Sequence, residues 1–401
     1  MRRDGELPSI AFLSSYPPTS CGLATFTAAL RGAVADGRGS DEGLGVVSLV
    51  DSRLGELSSE VVYEHLNGDR GSLVGAIAAL NSFDVVSVQH EYGIYGGPDG
   101  SEVLDLLAGL EIPAIVTLHT VLSQPSPNQR AILEKVVALA EQTIVMSDTA
   151  SRRLVDGYRV DPAKVQVVPH GASARLGGPS LANGSRPVVL TWGLIGPGKG
   201  LEMAIDAFAG LMDLRPLPRY VILGKTHPKV QASHGDVYLE GLVARVHDLG
   251  LGDVVEFDGR YLDVDALGVA VREADLVVLP YESTEQVTSG VLVEALAAGK
   301  PVIATAFPHA VELLGTGAGI VVPHGHPIAL SAALRRVLTH PSLAVRMAVE
   351  TRRIGSTLLW PAIARQYHDM ATKLVARHQA APALTTAKFA REVLDGLAKT
   401  G

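Results

Sequence analysis

VVLPYESTEQVTSGVLVEALAAGKPVIATAFPHAVELL, from Val277 to Leu314, is the stretch that decides how this chain is read. The apolar residues Leu276 to Pro280 have the length and branching of a buried strand. A polar loop follows, then a helical stretch from about Thr288 to Ala298 carrying Glu294, with Gly299 as its stop signal. A second apolar strand, Pro301 to Thr305, leads into a short helix that carries Glu312. Strand, loop, helix, strand is the unit of a parallel α/β sheet, and such sheets bind ligands beyond the carboxyl ends of their strands. The loop is crowded with groups that bond to hydroxyls: Glu282, Ser283, Thr284, Glu285, Gln286, Thr288 and Ser289. The amides of Ser289, Gly290 and Val291 at the helix start lack intrahelical partners and face whatever fills the loop.

These residues resemble the nucleotide-sugar motif of family 4 glycosyltransferases, retaining enzymes of the GT-B fold. In that family two glutamates, with seven residues between them, hold the donor: the first the sugar, the second the ribose. Glu294 matches the second position and is followed by the expected ALAAGKPVIAT. The first position falls on Gln286. An amide both donates to and accepts from sugar hydroxyls but carries no charge, so the sugar contact must differ. The run QVTSGVL, Gln286 to Leu292, resembles a subset of the family with Q-x-x-SG at this place.

The rest of the composition narrows the field. A chain of 401 residues has room for two or three domains, and 47% hydrophobic against 19% charged residues requires a sizeable core. A net charge of −8 offers no basic stripe to neutralise nucleic-acid phosphates. Cys21 stands alone, which precludes an internal disulfide and fits a reducing, cytoplasmic setting. The start MRRDGELPS has no apolar segment of a secretory signal, and no run reaches the roughly 20 apolar residues of a spanning helix. Attachment to a membrane surface stays open.

Outward from the motif toward the start, IAFLS (Ile10 to Ser14) is a first strand, and Gly22 sits where the next helix begins, its amide available to an anion. Strands are expected at Val46 to Val50, Val85 to Gln89, Ala114 to Leu118, Thr143 to Met146 and Val165 to Val168, mostly with helices between, the alternation of a doubly wound sheet. Two strand ends carry polar clusters: Gln89, His90 and Glu91, and then His119 and Thr120. The resemblance implies that His119 touches the donor sugar and that Gly22 approaches the donor. It leaves Gln89, Glu91, Gly97 and Asp99 as candidates for the acceptor side.

The small, polar run SARLGGPSLANGSRP marks a linker, and alternation restarts at Val188. The expected domains are 1–172, a linker over 173–186, then 187–355, with a closing helix and tail over 356–401. In the second, Gly193 to Lys199 fits the first seven places of a phosphate-binding loop of the ATPase type. The eighth must be Ser or Thr to hold magnesium and is Gly200, and Pro197 removes an amide, so an ATPase is rejected. The same residues resemble the family's diphosphate loop: Lys199 matches its lysine, and Leu194 stands where its arginine belongs. Lys225, at a strand end, is a candidate for the missing cation. A lysine at a helix start is electrostatically misplaced unless an anion joins it. The backbone near Arg260 to Leu262 is expected near the base, Glu312 near the nucleotide, and Leu358 to Arg377 as a closing helix anchored by Trp360. His309, His324 and His326 have no third and fourth ligand at sensible spacing, so no metal and no other cofactor is expected.

The sequence therefore implies an α/β, GT-B-like chain of two Rossmann-like domains facing a cleft. The resemblance implies a retaining transferase that moves a sugar from a nucleotide-diphosphate sugar to a hydroxyl acceptor, with His119, Lys199 and Gln286 as catalytic residues. Donor contacts fall to Gly22, Lys199, Thr288, Ser289, Gly290, Val291, Glu294 and Glu312. An epimerase or phosphorylase on the same fold, and a silent sugar-nucleotide binder, are the alternatives.

Overall fold

The computed structural model describes residues 7–55, 57–173, 186–260, 262 and 264–380, without the side chains of Lys229 and Val264. Residues 174–185 of the expected linker, Tyr261 and the tail beyond Ala380 lie outside the described residues. The chain forms two compact units, one running to Pro169 and resuming at Trp360, the other from His170 to Leu359.

The first unit holds seven strands: β1 (Ile10–Ser14), β2 (Leu44–Val50), β3 (Val61–Leu66), β4 (Val85–His90), β5 (Ala114–Leu118), β6 (Gln142–Val145) and β7 (Val165–Val167). All pair in parallel in the order β3-β2-β1-β4-β5-β6-β7. β3 is the strand that the sequence reading misses. Its VVYEHL lies on the sheet edge, half exposed, and it interrupts its apolar residues with two polar ones that are buried and bonded. Glu64 accepts from the Leu54 amide at 2.9 Å, and His65 Nδ1 lies 3.3 Å from Ser72 Oγ. No apolar run or clean alternation survives to signal a strand.

The core of this unit sits between β1 and two helices, Gly22–Arg38 and Trp360–Ala380. The second of these is the expected closing helix, starting two residues later than read. Phe12, Phe26 and Leu30 pack with Trp360, Ile363 and Tyr367, all buried. Trp360 is the anchor, its ring 5.2 Å from that of Phe26 at 71°. Tyr367 Oη lies 2.9 Å from Thr117 Oγ1 on β5, so the polar end of a buried aromatic is satisfied.

The second unit holds six strands: β8 (Val188–Trp192), β9 (Arg219–Leu223), β10 (Val255–Asp258), β11 (Leu276–Leu279), β12 (Val302–Thr305) and β13 (Gly319–Val322). They too are parallel, in the order β10-β9-β8-β11-β12-β13. Both faces are covered, which is why the strands read as continuous apolar runs rather than alternating ones. One face buries Phe208 stacked on Tyr220, centroids 4.5 Å apart, with Ile205, Leu242 and Ile303. The other buries Val277, Leu279, Leu292, Leu296 and Phe307. Lys300, in the AAGKP turn, is fully buried: its Nζ donates to the Arg272 carbonyl at 2.7 Å, and burial pushes its pKa down to about 8 against the pull of Asp275. It is a structural tie below the sheet.

Strand order reverses between β1 and β4 in the first sheet and between β8 and β11 in the second. At such a reversal the two following loops diverge to opposite faces and leave a crevice beyond the carboxyl ends. In the second unit those loops are Gly193–Gly200 and Pro280–Ser289. They are in close contact: the Glu282 amide donates to the Gly198 carbonyl at 3.0 Å. Gly200 has φ +65°, and a Cβ there would overlap the Pro280 carbonyl. Gly200→Ala should therefore lower unfolding free energy by about 2–4 kcal/mol in urea titrations. Gly235→Ala, with φ +60° but open space around it, should lose only about 1–2 kcal/mol.

Candidate functional site

The site in the second unit is built by two helix starts. The helix Leu201–Ala209 begins at Gly200, a cap with no side-chain acceptor, so no cap side chain serves the first amides, which an intrahelical bond cannot reach. The helix Gly290–Ala297 begins two residues later than the sequence reading, because Ser289 is extended (φ −137°) and turns its Oγ back to the Leu292 amide at 3.3 Å. Val287, buried to 1%, plugs the loop into the core and prevents an earlier start.

Between these two starts lies Tyr281. The ammonium of Lys199 sits over its ring, 4.7 Å from the centroid, and the tyrosine side chain bonds to Ser289. Positions ninety residues apart in sequence thus converge. Burial pushes the Lys199 pKa down, so the charge is held at a cost. A cation–π contact offsets part of that cost. Thr288 Oγ1, one residue before Ser289, is buried yet has no hydrogen-bond partner in the protein. Buried hydroxyls are nearly always bonded, so this one marks a place for a ligand group.

The other expected donor residues occupy the same unit. Gln286 is half-buried, and its carbonyl accepts from the His309 amide at 3.3 Å. Gly290 opens the helix against His170: a Cβ on it would come within 2.9 Å of His170 Nε2. Val291 is half-buried. Glu294, one turn further on, accepts from the Ser173 amide at 3.3 Å, and Glu312 is half-buried on the helix Pro308–Leu314. Leu194 is also half-buried. Lys225 lies two residues beyond β9 on the wall of a cavity of about 550 Å³, lined also by Thr226, Gln231, Asp236, Leu239 and Gly259. The Ile195 amide donates to the Lys225 carbonyl at 2.9 Å, so this cavity adjoins the Gly193–Gly200 loop. Arg260 is bound to Asp258 at 2.6 Å.

In the first unit the expected residues gather at the matching reversal of strand order. His119 Nε2 lies 2.9 Å from Gln89 Oε1, and the Gln89 amide nitrogen donates to Ser87 Oγ at 3.3 Å. The amide is thereby oriented as acceptor, and the imidazole proton sits on Nε2. The edge of Phe26 meets the His119 ring at 4.8 Å and 86°. Glu91 accepts from the Tyr92 amide at 3.0 Å and from the Thr120 hydroxyl, and burial pushes its pKa up. Asp99 has φ +51° and accepts from Asn128 Nδ2 at 2.7 Å, while Gly97 is exposed with φ +78°. Gly22 does start its helix, but Cys21 Sγ caps it by accepting from Ala24, and a Cβ at Gly22 would meet nothing within 4 Å. A glycine is not demanded there by packing. Gly22, Gln89, Glu91, Gly97, Asp99 and His119 thus belong to one unit and the remaining candidates to the other.

Three residues that hold the site escape sequence reasoning. Tyr281 reads as the end of an apolar run. His170 and His309 are separated by more than a hundred residues, and histidine has no periodic signature. Burial pushes their pKa values down to about 4 and about 3, the latter also through His170. Among the described residues no three His, Cys, Asp or Glu side chains gather so as to hold a metal ion.

A doubly wound parallel sheet in each unit, with the loops that follow it diverging where the strand order reverses, defines the class: an α/β chain of GT-B type. Comparison narrows it. Residues 178–354 match the family model of glycosyl transferases group 1, and residues 62–175 that of Glycosyltransferase Family 4. The chain is 30% identical over 292 residues to a D-inositol 3-phosphate glycosyltransferase of Kineococcus radiotolerans, covering 63% of this chain and 64% of that one. It is 26% identical to the protein of the same name in Corynebacterium jeikeium, over 83% of this chain and 82% of that one. The match spans between about half and 64% of the length of the first such relatives. The fold is shared with Anabaena Alr3699/HepE, solved with UDP (TM-score 0.71, 20% identity, 91% of this chain and 100% of that one). It is shared too with sucrose-phosphate synthase of Thermosynechococcus elongatus (TM-score 0.72, 20% identity, 92% and 100%). No described helix is long and apolar enough to cross a membrane.

His90, beside the first unit's cluster, yields a pH prediction. It is fully buried, neither ring nitrogen has a partner, and Tyr92 and Tyr95 flank it at 5.2 and 6.4 Å. Burial pushes its pKa from 6.5 down to about 4. Between those values the unfolded chain binds the extra proton, so stability is present above pH 6.5 and lost as pH falls toward 4, by about 3 kcal/mol from this group. His90→Leu should match or exceed the native stability at pH 7.5 and lose about 3 kcal/mol less over that acid interval, measured by urea unfolding. Equal acid slopes would contradict the assignment.

Proposed function

We propose that the protein is a retaining glycosyltransferase that moves a sugar from a nucleotide-diphosphate sugar to a hydroxyl acceptor. The observation that carries this reading is the Lys199 ammonium, held half-buried over Tyr281 beside a helix start that no cap side chain serves. A cation kept there at a cost is explained by an anion that shares the site. A diphosphate supplies the required charge, and the cavity beside Lys225 and Gly259 supplies room for a nucleoside. The relatives' names and the UDP complex of a protein of the same fold support this choice of ligand.

In this reading Lys199 and the helix-start amides stabilise the negative charge that develops on the departing diphosphate. Thr288 Oγ1, Gln286, the Ser289 hydroxyl and the Gly290 and Val291 amides take sugar and phosphate oxygens, the Ser289 N–H being given to His309; Glu294 takes the ribose and Glu312 the neighbouring nucleotide. Gln286 in place of a glutamate is read as the Q-x-x-SG variant of the motif, in which the sugar is held by an amide. His119, with its tautomer fixed by Gln89, contacts the sugar; Glu91, Gly97 and Asp99 serve the acceptor. No side chain is assigned as base: the leaving phosphate takes the acceptor's proton on the same face, which retains the anomeric configuration. Neither a metal nor another cofactor is required, because Lys199 and the amides carry the electrophilic role. The cytoplasm, as reducing compartment and source of nucleotide sugars, is the proposed location.

Lys199→Ala should lower kcat by at least about a hundredfold, the scale of losing one electrostatic donor, with a melting temperature within a few degrees of native. Unchanged turnover would remove the lysine from the site. Glu294→Ala should weaken nucleoside-diphosphate binding by about tenfold or more in calorimetry; equal affinity would exclude its ribose role. A panel of UDP-, GDP- and ADP-sugars with and without acceptors, read by product analysis, tests the activity itself. Binding without turnover would instead favour a silent sugar-nucleotide binder, the reading that the uncharged Gln286 and Leu194 make the natural rival.

A further inference from the structure

The ten residues from Pro280 to Ser289 have no regular structure, yet the proposed donor contacts depend on where this loop lies. Its two ends are fixed differently. At the β11 end, the Tyr281 carbonyl accepts from Thr305 Oγ1 at 2.5 Å and from His324 Nδ1 at 2.9 Å. At the helix end, one residue makes two ties. His309 gives its backbone N–H to the Gln286 carbonyl at 3.3 Å, and its ring Nδ1 accepts the Ser289 N–H at 2.9 Å. These bonds bracket Val287 and Thr288, so the unpartnered Thr288 hydroxyl is placed by them. His309 is 2% exposed and itself reaches no solvent-facing ligand position.

The ring bond has a strict chemical requirement. Nδ1 accepts only when it is deprotonated, so the imidazole must be neutral with its proton on Nε2. The site enforces that state in two ways: the ring is buried, and His170 lies close by to penalise a charge. His170 in turn turns Nδ1 to its neighbour's Gly171 carbonyl at 2.7 Å and packs its Nε2 edge against Gly290, the first residue of the helix. The two histidines thus hold the start of the helix Gly290–Ala297 from two sides.

We infer that His309 is a positioning residue for the donor loop: its neutral imidazole accepts the Ser289 amide and thereby sets the backbone on which Gln286, Thr288 and the helix-start amides meet the donor. The inference rests on the proposed donor site for its catalytic consequence but not for its structural one. The role belongs to one nitrogen, which makes it separable from mere packing. Asparagine can place an oxygen where Nδ1 lies; glutamine places its oxygen one bond further out, near Nε2; leucine keeps bulk and removes the acceptor.

The test compares His309→Asn, His309→Gln and His309→Leu with the native chain in two measurements. Amide hydrogen exchange of the unliganded protein over residues 286–292 should be near native in the Asn variant and about tenfold or more faster in the Gln and Leu variants, the consequence of losing one buried bond. Steady-state kinetics with the nucleotide sugar selected by the panel should show KM for the donor raised about tenfold in Gln and Leu, kcat reduced less, and both restored in Asn. Equal exchange in all four proteins would overturn the inference whether or not the enzyme turns over. So would an Asn variant that exchanges as fast as Leu. If no nucleotide sugar binds even the native chain, the donor-site reading fails while the exchange measurement still decides the role of His309.

Discussion

A lysine ammonium pressed onto the face of a tyrosine, beside the starts of two helices, is the constraint around which the second unit is arranged. Every ingredient is unfavourable alone. A cation beside a helix start opposes the helix dipole, burial disfavours its charge, and a buried hydroxyl at Thr288 forgoes a hydrogen bond. Proteins keep such arrangements where a ligand resolves them. In the proposed reading one dianionic group would meet the lysine and both helix starts together, so the local penalties are explained as one site rather than as separate accidents of packing.

The fold supplies the geometry for this at little extra cost. Reversal of strand order between β8 and β11 parts the loops that follow them, and parallel strands deliver both loops to the same edge. The glycines at 193, 198 and 200, all with positive φ, let the first loop lie against the second; Gly200 in particular touches the Pro280 carbonyl. The second loop is then held by Thr305, His309 and His324, all from elements further along the same unit. Rigidity of the edge, rather than of any one residue, is what turns a polar loop into a binding surface.

Much of this is legible in the sequence because it is local. Continuous apolar runs at Leu276–Leu279 and Val302–Thr305 and the Gly299 stop each leave a short-range signature. So does the misplaced charge of Lys199. What is not legible is long-range or mixed in character. β3 is disguised by the buried Glu64 and His65; the convergence of Lys199 on Tyr281 spans about eighty residues; and the histidines behind the donor loop look like any others until their partners are seen. Gly22 opens its helix where the sequence reading put it, and the cap before it is the Cys21 thiol. Charge placed against the dipole is informative, whereas a glycine at a turn carries little by itself.

The central claim is that the second unit grips a diphosphate. Titration calorimetry of one nucleoside series at two salt concentrations tests it most directly: nucleoside, monophosphate and diphosphate with the same base. The account predicts that affinity rises steeply at the diphosphate, by at least about a hundredfold over the nucleoside, and that the gain shrinks as salt is raised. A nucleoside that binds as tightly as its diphosphate, or a diphosphate gain insensitive to salt, would contradict it.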